Sequence, residues 1–518
     1  MEPASIRVLL VEDNPLHARL LEGFLRRIPG TRIPVVLETT VDDALQRAGT
    51  DEFDVVLLDL VLPDSRGLDT LLRFRARFPD LPVVVLTGLD DMDLATRALG
   101  QGARDYLLKN QVNAPLLHRS LRYALERGQV DQEPWVSPSL RVAHQQFLTA
   151  AQACDLPDHL RRQWISPRRI QQLCLLDREG QPTVAYRVHH LSGNGVTFGG
   201  VRSHPTVTRG EVIALAMRGS WQAALLGIPF GGAFGGVRVA PGTADDESLG
   251  LLRLYLEELA SPPGHVDLIG PGLGSTSAHE ILLNDPDLGP CSPLLADVPA
   301  WATAAGLGAL LDAVAPDADV DLPGASVVIQ GFGVLGRCVA ASLHHRGLRI
   351  LVVSDEHGGI LNTDGLDIDA LLSHVKNGHP LRRFPDATSL TNEELLRFPC
   401  DLLIPAAIAN QITPENAAQL QCSLIAEMAC GAVTIEADEI LRERGIGILP
   451  AILANAGGVI YSYLRQTSPE MDRHEITKSI SKRVLKALSE AQSLAAAADL
   501  DLRSAATTCA LKALQESA

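Results

Sequence analysis

SVVIQGFGVLGRCVAASLHHRGLRILVVSD, residues 326–355, is the stretch that decides the fold. SVVIQ is a short apolar run of strand length, VLGRCVAASLHH carries helical periodicity, and RILVVSD is a second strand-like run. Gly331, Gly333 and Gly336 between them spell GxGxxG. Such a motif alone is weak. Placed between a strand and a helix, with an acidic residue about 20 positions on, it is the fingerprint of a dinucleotide site. The glycines permit a tight turn, close approach of backbone to a pyrophosphate, and packing of helix on sheet, while the helix N-terminus favours the negative charge. Asp355 is the candidate for the ribose hydroxyls, which mildly favours NAD over NADP. The competing reading is a glycine turn in an α/β domain that holds no ligand.

Working outward, the chain has 518 residues, too many for one domain. Hydrophobic residues make up 46%, enough for sizeable cores, and aromatic residues only 4%, so each aromatic in a glycine-rich stretch stands out. A formal charge of −17 argues against non-specific association with nucleic acid or anionic membrane. The eight cysteines form no CxxC pair, which points to free thiols in a reducing compartment. MEPASIRVLLVED has no basic segment followed by an apolar core, and no apolar run has the length of a spanning helix. The expectation is a cytoplasmic protein with no nucleic-acid or membrane partner.

Residues 1–128 alternate apolar runs with amphipathic helical stretches. Strands are expected over 7–13, 54–60, 82–88 and 103–109, with helices such as 16–28 between them. That alternation predicts a doubly wound parallel sheet with its ligand site at the carboxyl ends of the strands. Glu12, Asp13 and Asp59 fall at those ends, as do Thr87 and Lys109. Carboxylates converging on one rim repel unless a divalent cation sits among them, and an all-oxygen set suits Mg²⁺. A neutralised Asp59 can then accept a phosphoryl group, with Lys109 balancing charge and the Thr87 hydroxyl able to bond phosphate oxygens. This segment, through DLVLPDSRGLDTL, GARDYLLK and LLHRSLRYALER, resembles the receiver domain of two-component response regulators. The resemblance implies a flavodoxin-like fold, Asp59 as phosphoacceptor, Glu12 and Asp13 as Mg²⁺ ligands with it, Thr87 and Tyr106 as switch residues, and Lys109 as the charge-balancing lysine. It also implies a sensor histidine kinase or phosphotransfer protein as partner. Asn110 stands after Lys109, where many receivers have proline.

After a polar, proline-bearing linker, TFGGVR (197–202) and AFGGVR (233–238) each set a Phe beside a glycine pair. Both read as loops in which glycine allows close approach of a ligand or another backbone. Together with YRVHH, QGFGVLG, SDEHGGI, IPAAIANQIT, AEMACGAVTIEADEIL and NAGGVIYSY, in collinear order, these stretches resemble the Glu/Leu/Phe/Val dehydrogenase family, and its glutamate dehydrogenases most closely. The implied layout is a receiver over 1–128, a linker over 129–145, an α/β dimerisation and substrate domain over 146–300, a Rossmann dinucleotide-binding domain over 301–460, and C-terminal helices over 461–518 that pack back on the substrate domain. It implies NAD or NADP as cofactor, held by Gly331, Gly333, Gly336, Asp355, Thr303, Asn410 and Asn455. Arg202 and Ser462 are the polar candidates left in the substrate cleft, although an Arg or Asn in a glycine-rich stretch often only satisfies backbone carbonyls. Oligomers are implied as well: a homo-oligomer, or a hetero-oligomer with an active dehydrogenase subunit.

The family oxidises an amino acid by hydride transfer to nicotinamide, then hydrolyses the imine. It uses three lysines and an aspartate to bind substrate carboxylates, activate water and move protons. Here Phe198, Gln222 and Phe234 occupy the lysine positions and Leu273 or a neighbour the aspartate position, with no Asp between 268 and 283. Losing one transition-state donor costs about 10²–10³ in rate, and losing an acid–base group roughly 10²–10⁴. The sequence therefore predicts a receiver-controlled sensor or regulatory subunit without catalysis. The rival reading is an amino-acid dehydrogenase with a more apolar substrate pocket. A transcription factor is disfavoured, because no helix-turn-helix or basic patch follows the receiver.

Overall fold

Continuous apolar runs such as VLLV and VVLLD bury every side chain, as strands of a parallel sheet covered on both faces must. In the computed structural model the described residues are 4–26, 31–78, 81–87, 98, 103, 105–109, 112–113, 117, 120–121, 137–178, 180–191, 194–240, 243, 245–259, 265–272 and 298–517. The chain divides into two units, Met1–Trp135 and Val136–Ala518. In the first, five parallel strands lie in the order Val35–Glu38, Val8–Val11, Val55–Asp59, Val83–Thr87, Asp105–Leu108. This is the 2-1-3-4-5 order of flavodoxin-like folds. The edge strand Val35–Glu38 is not among the strands expected from the sequence; it is short and half-exposed, and its apolar run, Val35 to Leu37, is only three residues long. Helix Pro15–Leu25 starts where the Asn14 side chain accepts the Leu16 N–H at 3.0 Å. It packs on one face of the sheet, and helices Val41–Thr50 and Leu68–Arg77 pack on the other.

The second unit opens with helix Pro138–Ala153, capped by Ser137. A five-stranded mixed sheet follows, in the order Arg169–Leu176, Pro182–His189, Gly231–Val237, Val196–Ser203, Val266–Pro271. The two FGG stretches are therefore strands, not the loops the sequence led us to expect, and they lie side by side in parallel with Phe198 opposite Gly232. Glycine weakens a strand, so its presence there marks a close backbone approach. A Cβ on Gly199 would stand 1.5 Å from the Ala233 carbonyl oxygen. One on Gly232 would stand 2.1 Å from the Ala216 carbonyl oxygen of helix Arg209–Leu225. The bare strand lets that helix settle onto the sheet, where the Gly232 N–H donates to Ser220 Oγ at 2.8 Å.

The other half of this unit is a seven-stranded sheet in the order Thr388–Leu390, Gly358–Leu361, Arg349–Asp355, Ser326–Gln330, Cys400–Pro405, Cys422–Ala426, Gly447–Leu449. The five strands from Arg349–Asp355 to Gly447–Leu449 are parallel; at the other edge Gly358–Leu361 pairs antiparallel with Arg349–Asp355, and Thr388–Leu390 pairs antiparallel with Gly358–Leu361. The first strand, Ser326–Gln330, lies between strands that continue the order in opposite directions, which is the switch point where open α/β sheets bind ligands. Helices Arg473–Ala498 and Leu502–Glu516 end the chain, and the latter lies against helices Pro138–Ala153 and Arg209–Leu225.

Gly232→Ala is expected to cost at least about 2 kcal/mol, because the helix backbone at Ala216, Gly219 and Ser220 must move. Gly250→Ala, in helix Asp245–Glu258 with nothing within 4 Å of the new carbon, should instead gain up to about 1 kcal/mol. Denaturant midpoints of the two variants check the pair. His190 supplies a pH test. It is fully buried, its Nε2 hydrogen-bonds the Trp164 carbonyl at 2.7 Å, and burial pushes its pKa down from 6.5 to about 4. Between those values the unfolded chain binds a proton that the folded chain refuses. Stability should fall as pH drops through that window, by up to roughly 3 kcal/mol, and His190→Asn should flatten the slope in urea titrations at successive pH values.

Candidate functional site

Phe198 and Phe234 sit on adjacent strands, and Arg218 and Gln222 sit one turn apart on helix Arg209–Leu225, which covers them. Opposite, the half built on the seven-stranded sheet supplies Cys430, Ala451, Asn455 and Ser462, and the last helix supplies Arg503 and Thr507. These groups enclose a cavity of about 280 Å³, at the small end of the roughly 300–1,000 Å³ found for ligand pockets. Thr303 lines it from helix Val298–Val314. The three expected lysine positions thus converge on one space, and all three hold uncharged side chains.

Gln222 spans the cleft. Its Nε2 donates to Asn455 Oδ1 at 2.7 Å and to the Ile452 carbonyl at 3.1 Å, while Asn455 Nδ2 donates to the Met428 carbonyl at 3.3 Å. Phe198 extends an aromatic wall through Phe230, 6.4 Å between centroids, to Tyr463 at 5.7 Å. Ser462 is buried and donates to the Gly458 carbonyl of its own helix at 2.9 Å. Arg202 lies further along the Phe198 strand, is paired with Glu211, and does not line the cavity. Leu273 lies outside the described residues. The two charged lining residues, Arg218 and Arg503, escaped the sequence reading. The signal was there for Arg218: a single cation inside the apolar run ALAMRGSWQAAL.

At the switch point each glycine of the fingerprint has a separate cause. Gly331 has φ +99°, a conformation that penalises any side chain. A Cβ on Gly336 would stand 1.9 Å from the Gly331 carbonyl oxygen, whereas one on Gly333 would meet nothing within 4 Å. Gly333 therefore keeps the start of helix Val334–His345 open. Asp355 ends strand Arg349–Asp355 and accepts the His357 N–H at 2.8 Å. Asn410 takes a left-handed turn at φ +56° and ties to Gly431 by a backbone hydrogen bond of 2.8 Å.

On the rim of the parallel sheet in the first unit, oxygens of Glu12, Asp13 and Asp59 lie within 4.8 Å of one another. Lys109 Nζ reaches Asp59 Oδ2 at 2.6 Å and Glu12 Oε2 at 2.8 Å. Burial alone would lower the Lys109 ammonium, but the bonds to Asp59 and Glu12 outweigh it and raise its pKa. Burial raises Glu12 in turn. Strand pairing sets Thr87 opposite Leu108 and Val85 opposite Tyr106, and the side chains of Thr87 and Tyr106 are outside the described part.

Residues 298–518 match the Glu/Leu/Phe/Val dehydrogenase family, residues 171–281 its dimerisation domain, and residues 8–121 the response regulator receiver domain. Glutamate dehydrogenase B of Halobacterium salinarum is 33% identical over 413 residues, covering 74% of this chain and 94% of that protein. The chain belongs to the Glu/Leu/Phe/Val dehydrogenase family. Glutamate dehydrogenase of Thermotoga maritima is 30% identical, covering 71% of this chain and 95% of its own length. A leucine-bound, hetero-hexameric glutamate dehydrogenase from Thermus thermophilus superposes with TM-score 0.66 at 28% identity, over 74% of this chain and 97% of its own.

In this dehydrogenase-family chain the cavity wall is fixed by a buried ion network. Glu427 has no exposure and accepts the N–H groups of Val433 at 2.9 Å and Ala451 at 3.1 Å, together with Arg503 Nη1. Arg503 Nε donates to Asp438 Oδ2 at 2.9 Å. Burial alone would lower the Arg503 guanidinium, but Glu427 and Asp438 raise it above its ordinary value. Arg503→Met would strand Glu427 as a buried charge, and chemical denaturation should show a loss of about 3–5 kcal/mol.

Proposed function

We propose that this chain is a phosphorylation-responsive signalling protein whose receiver controls a dehydrogenase-family domain that binds a nucleotide or metabolite and no longer oxidises amino acids. One observation carries the reading: among the described residues lining the cavity there is no lysine and no carboxylate. Amino-acid oxidation needs a cation for the substrate carboxylate, a base to take the ammonium proton, and a lysine to activate water for imine hydrolysis. Phe198 and Phe234 offer none of these, and the Gln222 amide is engaged by Asn455 and backbone carbonyls.

The receiver supports the signalling half. Glu12, Asp13 and Asp59 present the oxygen donors that suit Mg²⁺, which would neutralise the rim and the incoming phosphoryl oxygens. An Asp59 oxygen forms the new P–O bond as the bond from phosphorus to the donor's leaving group breaks. Lys109 is already held against Asp59 to balance the charge that results. The donor would be a sensor histidine kinase or a phosphotransfer protein. In the other unit, Gly331, Gly333, Gly336, Asp355, Thr303, Asn410 and Asn455 would hold NAD or NADP, with Asp355 favouring NAD through the ribose hydroxyls. When bound, that group would supply a hydride acceptor, for which the cleft has no matching acid–base set.

Assembly as a homo-oligomer, or with an active dehydrogenase subunit, accords with the hetero-hexameric Thermus thermophilus relative. A cytoplasmic location accords with the absence, among the described residues, of any helix long and apolar enough to cross a membrane.

Purified full-length chain given glutamate with NAD⁺ or NADP⁺ is expected to turn over at least about 10⁴-fold more slowly than a working dehydrogenase. Ordinary rates with glutamate, or with leucine, valine or phenylalanine, would overturn the reading, the latter three in favour of an enzyme with an apolar pocket. Incubation with a small-molecule phosphodonor and Mg²⁺ should label the chain, and Asp59→Asn should abolish the label.

A further inference from the structure

Among the described cysteines, Cys430 alone lines the cavity. It sits in the turn after strand Cys422–Ala426, where Gly431 has φ +72°. Asn455 Nδ2 reaches its sulfur at 3.4 Å. Arg218 packs against the same turn, for a Cβ on Gly431 would stand 3.1 Å from Arg218 Nη1. No carboxylate is paired with Arg218 among the described residues, and its hydrogen bond to Gln146 Oε1 is long, at 3.5 Å. Arg503 lines the same space and is only 9% exposed. Its Nε and Nη1 are bonded to Asp438 and Glu427, and its Nη2 is buried with no hydrogen-bond partner.

Other thiols of the chain lie in different surroundings. Burial pushes those of Cys154, Cys400, Cys422 and Cys509 up, that of Cys422 to about 12, and Cys400 stands opposite Cys422 on neighbouring strands. A thiol reacts through its anion, so burial of this kind keeps it inert. At Cys430 oxidation would add what the cavity wall lacks. A thiol is neutral, whereas its first oxidation product is an acid whose anion accepts charge-assisted hydrogen bonds. Such an anion meets the donors of Arg218 and Arg503 Nη2, which are costly to leave unpaired in a mainly apolar space.

We propose that Cys430 is a site of reversible oxidation by hydrogen peroxide, with Arg218 and the open Nη2 of Arg503 binding the sulfenate that forms. The sulfur attacks one peroxide oxygen; the S–O bond forms as the O–O bond breaks. The departing hydroxide takes the thiol proton and leaves as water, so sulfur is oxidised by two electrons and peroxide is reduced by two. A small thiol reverses the change in two steps. Its first molecule displaces water to form a mixed disulfide, and its second releases the Cys430 thiol and departs as the disulfide of the small thiol. The reaction consumes no nucleotide and no amino acid, so it is independent of any turnover in the cleft.

The test is treatment of the reduced full chain with hydrogen peroxide in the presence of dimedone, which traps sulfenic acids, followed by peptide mass spectrometry. Cys430 is expected to label at least about tenfold faster than Cys400 and Cys422 in the same sample. Dithiothreitol added after the peroxide and before the dimedone should prevent the label. Arg218→Met should slow the labelling of Cys430 by roughly tenfold, as loss of a charge-assisted hydrogen bond implies, and Arg218→Lys should retain part of the rate. Alkylation separates charge from access. Iodoacetate is an anion and iodoacetamide is neutral, so Arg218→Met should lower the ratio of their rates at Cys430, whereas a change of access alone would move both together. Labelling of Cys430 no faster than of Cys400 and Cys422 overturns the proposal, and that comparison lies within the unaltered chain, so it holds even where a variant fails to fold. A label that survives dithiothreitol, an undiminished rate in Arg218→Met, or an unchanged ratio of the two alkylation rates overturns it as well.

Discussion

Glu427 is the group on which the architecture of the cleft depends. A carboxylate with no exposure is tolerable only when both its oxygens are hydrogen-bonded, and here two backbone N–H groups and a guanidinium bond them. Each bond fixes a different part of the wall. Val433 N–H holds the turn that carries Cys430 and Gly431, Ala451 N–H holds the start of the helix that leads to Asn455, and Arg503 pins the last helix of the chain against both. Helix Leu502–Glu516 is thereby part of a site whose other walls come from the strands of Phe198 and Phe234 and from residues between Met428 and Ser462. A salt bridge on the surface would contribute little to such an arrangement, whereas breaking a buried one strands a charge, which ties the wall to it.

A second constraint is steric. The Phe198 and Phe234 strands can neighbour each other under helix Arg209–Leu225 only because Gly199 and Gly232 carry no Cβ. That close packing brings the two Phe rings and Gln222 to one wall. Replacing ammonium groups by rings and an amide there changes what the cleft can do without disturbing how it is built. The Gln222 amide crosses to Asn455 and two carbonyl-bearing residues at no charge-desolvation cost, which a lysine at that position would incur. The same neutral wall leaves Arg218 as the group with unmet electrostatic need.

Much of the fold was legible in the chain. Apolar runs of strand length alternating with helical periods placed the parallel sheet of the first unit, and one GxGxxG in the right setting placed the second. The failures have definite causes. Val35–Glu38 is a half-exposed edge strand whose apolar run is only three residues long and follows Pro34, so it did not stand out as its neighbours did. TFGGVR and AFGGVR read as loops because glycine has no strand propensity, and the tertiary reason for it, the proximity of a helix, lies in Ala216 and Ser220 and not in the strand itself. In the site, resemblance drew attention to positions where a family residue is missing, and so to Phe198, Gln222 and Phe234. It drew none to Arg218 or Arg503, which matter through what surrounds them. Arg202 drew attention by its motif, yet Glu211 takes it up.

The two candidate sites solve opposite electrostatic problems. On the receiver rim three carboxylates face one lysine, so the set carries net negative charge and the Lys109 ammonium is shared between Glu12 and Asp59. A phosphoryl group on Asp59 adds a doubly bonded claim on that ammonium, since a phosphorylated side chain carries roughly −1.5 to −2 charges and more acceptor oxygens than a carboxylate. Lys109 must then leave Glu12 or divide itself further, and either movement acts on the strand Asp105–Leu108 that delivers it. In the cleft the imbalance is the reverse: an unpaired guanidinium waits among rings and methyl groups. Among the described residues, the rim thus holds an excess of carboxylates over its one lysine, and the cleft holds a guanidinium with no paired carboxylate.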